Sequence, residues 1–344
     1  MENSPSLQPD WPWNDMLDAF RALGGAAQNF VQGTEGRGLF AVNAADPVLL
    51  RVPRNLLFRT SDVEFIESRI GIREAARVPE AERRFFEQYE NAFACEGRAR
   101  SVAFITALNG LPTEIKELLS REFGLPALLE GDITRRIQTH ILRSREVPWH
   151  GGAVIAPVLE LADHGTEGLA YERGMHLQIQ GYVGNEIRLR HGNEDAFSSF
   201  CRTGIADRKL AAFSLSLSVS FENRQIAIGQ STNDATARGR DRVPTTSSDA
   251  GRVSFSYLLL GHRRMPRLPR GTLRTLLQEA GFKNPDDAFD NIVRLNALKF
   301  IKLLQTLEPH EGEMISKLRM MARYQLEAMS YAIGSRELAP VVSE

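Results

Sequence analysis

Gly33 to Thr60 reads GTEGRGLFAVNAADPVLLRVPRNLLFRT. Brief apolar runs alternate there with Gly, Asn, Asp and Pro, a pattern of short strands joined by tight turns and not of helices. The spacing predicts a hairpin with strands at Leu39 to Val42 and Val48 to Val52. Upstream, a polar lead containing Pro5, Pro9 and Pro12 precedes Asp15 to Phe30, where Met16, Leu17, Phe20, Leu23 and Ala27 recur at helical spacing. A short helix is expected in this stretch.

From about Val63 to Arg143 the period changes. Phe85, Phe86, Tyr89 and Phe93 form one apolar stripe and Ile115, Leu118 and Leu119 another, so this stretch reads as a helical insertion. Strand signals return at Ala153 to Leu161, His176 to Tyr182, Glu186 to Arg190 and Phe213 to Phe221. In the last of these Phe213, Leu215, Leu217, Val219 and Phe221 alternate with small or polar residues, which implies one buried sheet face. Ser231 to Arg252 has no periodicity and reads as a flexible loop. VSFSYLLLG after it reads as one more strand, and Pro269 to Ile333 as helices.

With 344 residues the chain is long enough for two cores. The 42% hydrophobic and 25% charged content is that of ordinary globular proteins. A net charge of −1, from 42 basic and 43 acidic residues, removes the broad positive field expected of a nucleic-acid binder. Cys95 and Cys201 are too few for a zinc cluster or a disulfide framework, which fits a reducing, cytoplasmic setting. No apolar run reaches the roughly 20 residues that span a bilayer, and the start, MENSPSLQPDWPWNDM, has neither the basic nor the apolar region of an export signal. His140, His150, His176, His262 and His310 lack the spacing of a metal site, so no metal is expected. Neither membrane nor nucleic acid is an expected partner.

Three blocks in order give the pattern more meaning. The first is Glu35-Gly36-Arg37-Gly38-Leu39-Phe40-Ala41, followed by Leu49 to Leu57. The second runs from Ile141-Leu142-Arg143-Ser144-Arg145-Glu146-Val147-Pro148 into Ile155-Ala156-Pro157-Val158-Leu159-Glu160-Leu161-Ala162-Asp163-His164. The third is Asn185 to Phe197, running on to Thr203-Gly204-Ile205. Together they resemble the opening, middle and closing motifs of SET-domain protein methyltransferases, in the branch of the Rubisco large-subunit lysine methyltransferase and the actin-histidine methyltransferase. The resemblance covers most of Gly33 to about Arg336.

That resemblance implies an α+β fold: a SET β-structure split by a helical insertion, followed by an all-helical C-terminal domain. The division it implies is a lead over 1–30, a SET domain over 31–230 with its insertion at about 63–143, a flexible loop over 231–252, and a substrate-binding-like helical domain over 253–344. It further implies S-adenosyl-L-methionine (AdoMet) as cofactor and a protein or peptide as substrate, methylated on lysine or histidine. Gly36, Arg37, Gly38 and Leu39 would wrap the cofactor, where glycines permit a close backbone approach; a plain hairpin turn is the alternative. Arg143 would face the cofactor carboxylate, or else end a solvated helix. Asp163 and His164 stand where the family usually has Asn-His. An ionised aspartate accepts hydrogen bonds and cannot donate them, and His164 is otherwise a structural histidine. His191 occupies the position of the family's tyrosine at the transfer channel, where a mostly neutral imidazole can act as a base or mark lost activity. The competing expectation is a silent AdoMet- or peptide-binding module, or a different reaction on AdoMet or a small molecule.

Overall fold

A computed structural model describes residues 11–33, 38–66, 69–150, 152–190, 194–229, 244, 246–249 and 251–333, apart from the side chains of 95, 96, 166 and 167. The architecture is α+β, with short, mostly antiparallel sheets and helices that predominate toward the C-terminus. The chain divides into two compact units, one formed by Met1–Ala103 with Ile137–His191 and the other by Phe104–Arg136 with Gly192–Glu344.

In the first unit the helix Trp13–Ala22 buries Met16, Leu17 and Phe20 and ends before Gly24, whose φ of +91° no helix sustains. Ala27 therefore lies in a strand, Ala26–Gln28, and not on the helix. Asn29 separates that strand from Phe30–Gln32 and adopts a φ of +59°. The reversal sends the two three-residue strands to different sheets: Ala26–Gln28 pairs with Val48–Val52, and Phe30–Gln32 with Leu39–Ala41.

The expected hairpin between residues 39–42 and 48–52 accordingly does not form. The Asn29 side chain holds the connection instead: its amide donates to the carbonyls of Asn43 at 2.8 Å and Asp46 at 2.7 Å, and its oxygen accepts from the Asn43 N–H at 2.8 Å. Within Val48–Val52, alternate residues Val48, Leu50 and Val52 are fully buried, and the strand pairs on its other edge with Leu177–Gly181.

The helical insertion also begins differently from expectation. Val63–Ile66 and Arg69–Ile72 form an antiparallel hairpin before the first helix, Glu80–Ala92. Alternation of Val63, Phe65, Ile70 and Ile72 with more polar neighbours explains this, since β-branched residues suit a pleated surface. The helix buries Phe85, Phe86 and Tyr89 on one stripe, each worth roughly 1.5–3 kcal/mol of transfer free energy. The same face carries a charge inward. Glu90 is 1% exposed, and Arg145, at the end of the helix Ile133–Arg145, is 9% exposed.

Arg145 lies between two carboxylates. Its Nε and Nη2 donate to Glu160 at 2.6 Å each, Nη1 donates to Glu90 at 3.0 Å, and Nη2 also meets the other Glu90 oxygen. Burial opposes the guanidinium charge, but Glu160 and Glu90 more than offset this and hold its pKa well above the ordinary arginine value. Burial raises the Glu160 carboxyl from its usual range, partly countered by Arg145.

In the second unit, helices Leu268–Glu279, Pro285–Leu307 and Glu313–Ile333 bury Leu273, Phe289, Ile292, Phe300, Leu318, Met321 and Leu326, among others. The stretch 213–221 forms two strands and not one: Ala211–Phe213 pairs with Leu259–His262, whereas Leu217–Phe221 pairs with Arg224–Ile228. The break has a cause. Leu215 N–H donates to the buried Asn296 side chain at 2.7 Å and so leaves the ladder, and Ser214 N–H donates to the Leu258 carbonyl at 2.9 Å. VSFSYLLLG is split in the same way into Arg252–Phe255 and Leu259–His262. Within the expected loop 231–252, Thr246–Ser248 is a strand paired with Arg252–Phe255, and 231–243 lie outside the described residues.

Replacing Arg145 with Met leaves two buried carboxylates unpaired, and the expected loss is about 3–5 kcal/mol in urea unfolding at neutral pH. The orphaned acids would bind protons more readily folded than unfolded, so the deficit should narrow as the pH falls toward the ordinary glutamate range.

Candidate functional site

Gly38 opens the strand Leu39–Ala41 with a φ of +65°, a conformation that favours glycine. A Cβ there would stand 3.2 Å from the Phe40 ring and 3.8 Å from Glu186 Oε1. Leu39 is fully buried and lies opposite Ile187, and Phe40 lies opposite Glu186, in the antiparallel pairing with Glu186–Arg190.

The other edge of Glu186–Arg190 takes Asp163–Ala170 in parallel, with Asp163 opposite Arg188 and His164 opposite Leu189. The register then slips: Leu169 again faces Leu189 and Ala170 faces Arg190, so residues 165–168 bulge out between two points of pairing. Glycines at both ends of the bulge allow this. A Cβ on Gly168 would lie 2.4 Å from the Arg188 carbonyl oxygen, and one on Gly165 would lie 2.9 Å from the Arg188 side chain.

Gly38, Leu39, Asp163 and His164, four of the residues singled out from sequence, thus meet across one central strand. Gly36, Arg37 and His191 lie outside the described residues. Arg143 is half-buried in the last turn of the helix Ile133–Arg145 and is not itself part of these strand pairings. Two residues further on, Arg145 is the buried arginine that binds Glu160, three residues before Asp163.

Glu186 was not expected at this place. Its Oε2 accepts from Arg188 Nε at 2.7 Å, and its carboxyl lies against that of Asp163. Partial burial raises the Asp163 carboxyl from the ordinary aspartate range; the Arg100 guanidinium counters this, and the hydrogen bond and charge of Glu186 reinforce it. In sequence, the signal was the period of two on the strand, which puts Glu186 and Arg188 on one face.

The approach to Asp163 is tightly turned and largely buried. Val158 takes a φ of +68° and a ψ of −48°, and for a buried β-branched residue this stores about 1–3 kcal/mol of strain. A short 3₁₀ turn over Leu159–Leu161 follows and directs Glu160 toward Arg145. Burial, then the negative charge of Glu160, push the Tyr89 hydroxyl well above the ordinary tyrosine value. Tyr89 thus stays a neutral phenol beside the turn.

No protein-family profile and no curated protein sequence matches this chain. Among solved structures, the SET domain of LSMT bound to lysine and AdoHcy aligns at 12% identity and a TM-score of 0.39, over 99% of this chain and 91% of that one.

Two outcomes are expected from these contacts. The raised Asp163 pKa means that the folded state prefers the protonated acid, a preference satisfied below the unfolded aspartate pKa and lost as the pH rises through the folded one. Asp163→Asn should therefore raise the Tm at neutral and alkaline pH, and the gain should vanish on acidification, as followed by circular dichroism. Gly168→Ala, which drives a methyl into backbone, should lower the Tm more than Gly38→Ala, whose nearest obstacle is a ring edge.

Proposed function

We propose that this chain is an AdoMet-dependent methyltransferase of the SET type, acting on a lysine or histidine side chain of a protein or peptide. The observation that carries the reading is the convergence of Gly38-Leu39 and Asp163-His164 on the strand Glu186–Arg190, although more than 120 positions separate the first pair from the second in the chain.

The residues present suit the cofactor. Gly38 leaves open the space beside Glu186 that a side chain would enter. The carboxyls of Asp163 and Glu186 offer acceptors for an ammonium group, and a cation there would oppose the upward shift that burial gives the Asp163 carboxyl. The cofactor's sulfonium supplies a methyl group already activated for transfer. The chain's own task is to align an acceptor nitrogen and dispose of a proton. Transfer to the acceptor nitrogen would leave a surplus proton there, which a base of this chain would have to accept. We assign that base to His191, which follows the central strand directly in sequence, because imidazole is the side chain most often used as a general base. Gly36, Arg37 and Arg143 complete the proposed cofactor shell. The protein would work in the cytoplasm; among the described residues no helix is long and apolar enough to cross a membrane.

A second reading is a silent AdoMet- or peptide-binding module, favoured by Asp163 and His191 standing where the family has asparagine and tyrosine.

Saturating AdoMet should raise stability by mass action, by about 2.7 kcal/mol at one hundred times its Kd, and methyl-labelled AdoMet incubated with cell lysate should label a discrete protein band. His191→Phe should abolish labelling and keep the thermal shift. A shift without labelling in the wild type selects the silent AdoMet-binding module, and no shift with AdoMet or its demethylated product refutes the methyltransferase and favours the peptide-binding role.

A further inference from the structure

Between Asp249 and Glu279 the sequence carries six arginines and no acidic residue, although the chain as a whole is close to neutral. Two of the six, Arg270 and Arg274, lie on the helix Leu268–Glu279 and are matched by two carboxylates, Asp286 and Asp290. Arg263 is served differently. It follows the strand Leu259–His262, and its N–H donates to the Leu210 carbonyl at 2.9 Å, which continues the pairing with Ala211–Phe213 and brings Arg208 to the same end of that sheet. Both guanidiniums then meet one carboxylate, that of Glu327 on the helix Glu313–Ile333.

The helix face around Glu327 is aromatic. Tyr324, Glu327 and Tyr331 recur at steps of three and four, which places them on one stripe. The Arg208 guanidinium lies 5.7 Å from the centre of the Tyr324 ring, within reach of a cation–π contact, and Tyr331 is about half exposed. Half of the Arg208 side chain is open to solvent. That of Arg263 is mostly covered, and its Nε is buried with no acceptor among the described residues. Burial pushes the Arg263 guanidinium below the ordinary arginine value; Glu327 counters this, and the like charge of Arg208 reinforces it. A further anion brought to this place would oppose that shift. Arg264, Met265 and Arg267 continue the exposed surface along the turn that leaves the strand.

We propose that the surface formed by Arg208, Arg263, Tyr324 and Tyr331 docks an acidic segment of another protein. A guanidinium carries five donors in a planar fork, so each can hold Glu327 and a second carboxylate at once. The tyrosine rings offer the aliphatic parts of such a segment a surface to lie on. An acidic peptide fits better than a nucleic acid, because a phosphate backbone calls for a broad positive field. Here the cations are confined to one turn and one helix face, with Glu327 at their centre. The surface belongs to the second unit alone and is independent of the proposed methyl transfer.

Fluorescence anisotropy of the full chain tests it, at low ionic strength where exposed charges are least screened. Three probes carry the same label: a peptide of alternating glutamate and glycine, its glutamine counterpart, and a single-stranded oligothymidine. The glutamate peptide should bind saturably and the glutamine peptide at least about tenfold more weakly, the loss of two or more ion pairs. Arg208→Gln should weaken the glutamate peptide about fivefold, the upper end for one exposed pair. Glu327→Gln should strengthen it, because the competing carboxylate is gone; a network that only braces the fold would not give these opposite signs. Arg84→Gln, which removes an exposed arginine of the first unit, should leave the affinity unchanged. Arg208 is half exposed, so its variant is expected to keep the wild-type melting curve. The proposal is overturned by the absence of saturable binding of the glutamate peptide, by equal binding of the glutamine peptide, by tighter binding of the oligothymidine, or by an Arg208→Gln effect that is absent or no larger than that of Arg84→Gln.

Discussion

The first unit depends on a guanidinium taken out of water between two carboxylates. Arg145 joins the end of one helix to the last turn of another at Glu90 and to the 3₁₀ turn at Glu160. Such a buried set is weak evidence of stability, because desolvation offsets much of the attraction. It is strong in what it forbids: any packing that separates the partners leaves a bare charge in the core. The set therefore selects one arrangement of the helix Glu80–Ala92 against the turn that leads to Asp163, and the aromatic stripe of Phe85, Phe86 and Tyr89 fills the space around it.

From that anchored turn the chain passes into a tightly packed place, where Asp163–Ala170 lies twice against Glu186–Arg190. Burial, strain and close approach are concentrated within a dozen residues, from Val158 to Leu169. Native structures keep such features where the surroundings determine them fully. Here the surroundings are the Arg145 set on one side and the strand Leu39–Ala41 on the other. Precision at Asp163 and Glu186 thus comes from contacts several residues away.

Much of the element order could be read from sequence because short-range patterns determine it. Helical spacing located the helices, and alternation located Val48–Val52 and Glu186–Arg190. What was illegible depended on partners distant in the chain. Nothing local distinguishes Leu39–Ala41 and Val48–Val52 as hairpin mates from strands of separate sheets; Asn29 settles it, by a left-handed turn and three hydrogen bonds. Likewise Phe213 to Phe221 has unbroken alternation, and only the buried Asn296, some 80 residues further along, draws Leu215 out of the ladder. In the candidate site, the motifs drew attention to Gly38, Asp163 and His164, but Arg143 and Arg145 look equivalent in sequence. A helical position two residues along points elsewhere, and burial alone singles out Arg145 as the partner of Glu160.

The pivot at Asn29 also bears on biosynthesis. Ala26–Gln28 and Phe30–Gln32 pair early with residues 39–52, but those strands gain their outer neighbours only from Leu177–Gly181 and Glu186–Ile187. At about 5–20 residues per second, translation needs several seconds or more to supply them. During that interval the nascent chain presents unpaired strand edges, which invite pairing with other chains. The short lengths of these strands and the charged Arg51 within Val48–Val52 are features that blunt such edges, so the same small strands that meet at the candidate site also make the waiting chain a poor template for aggregation.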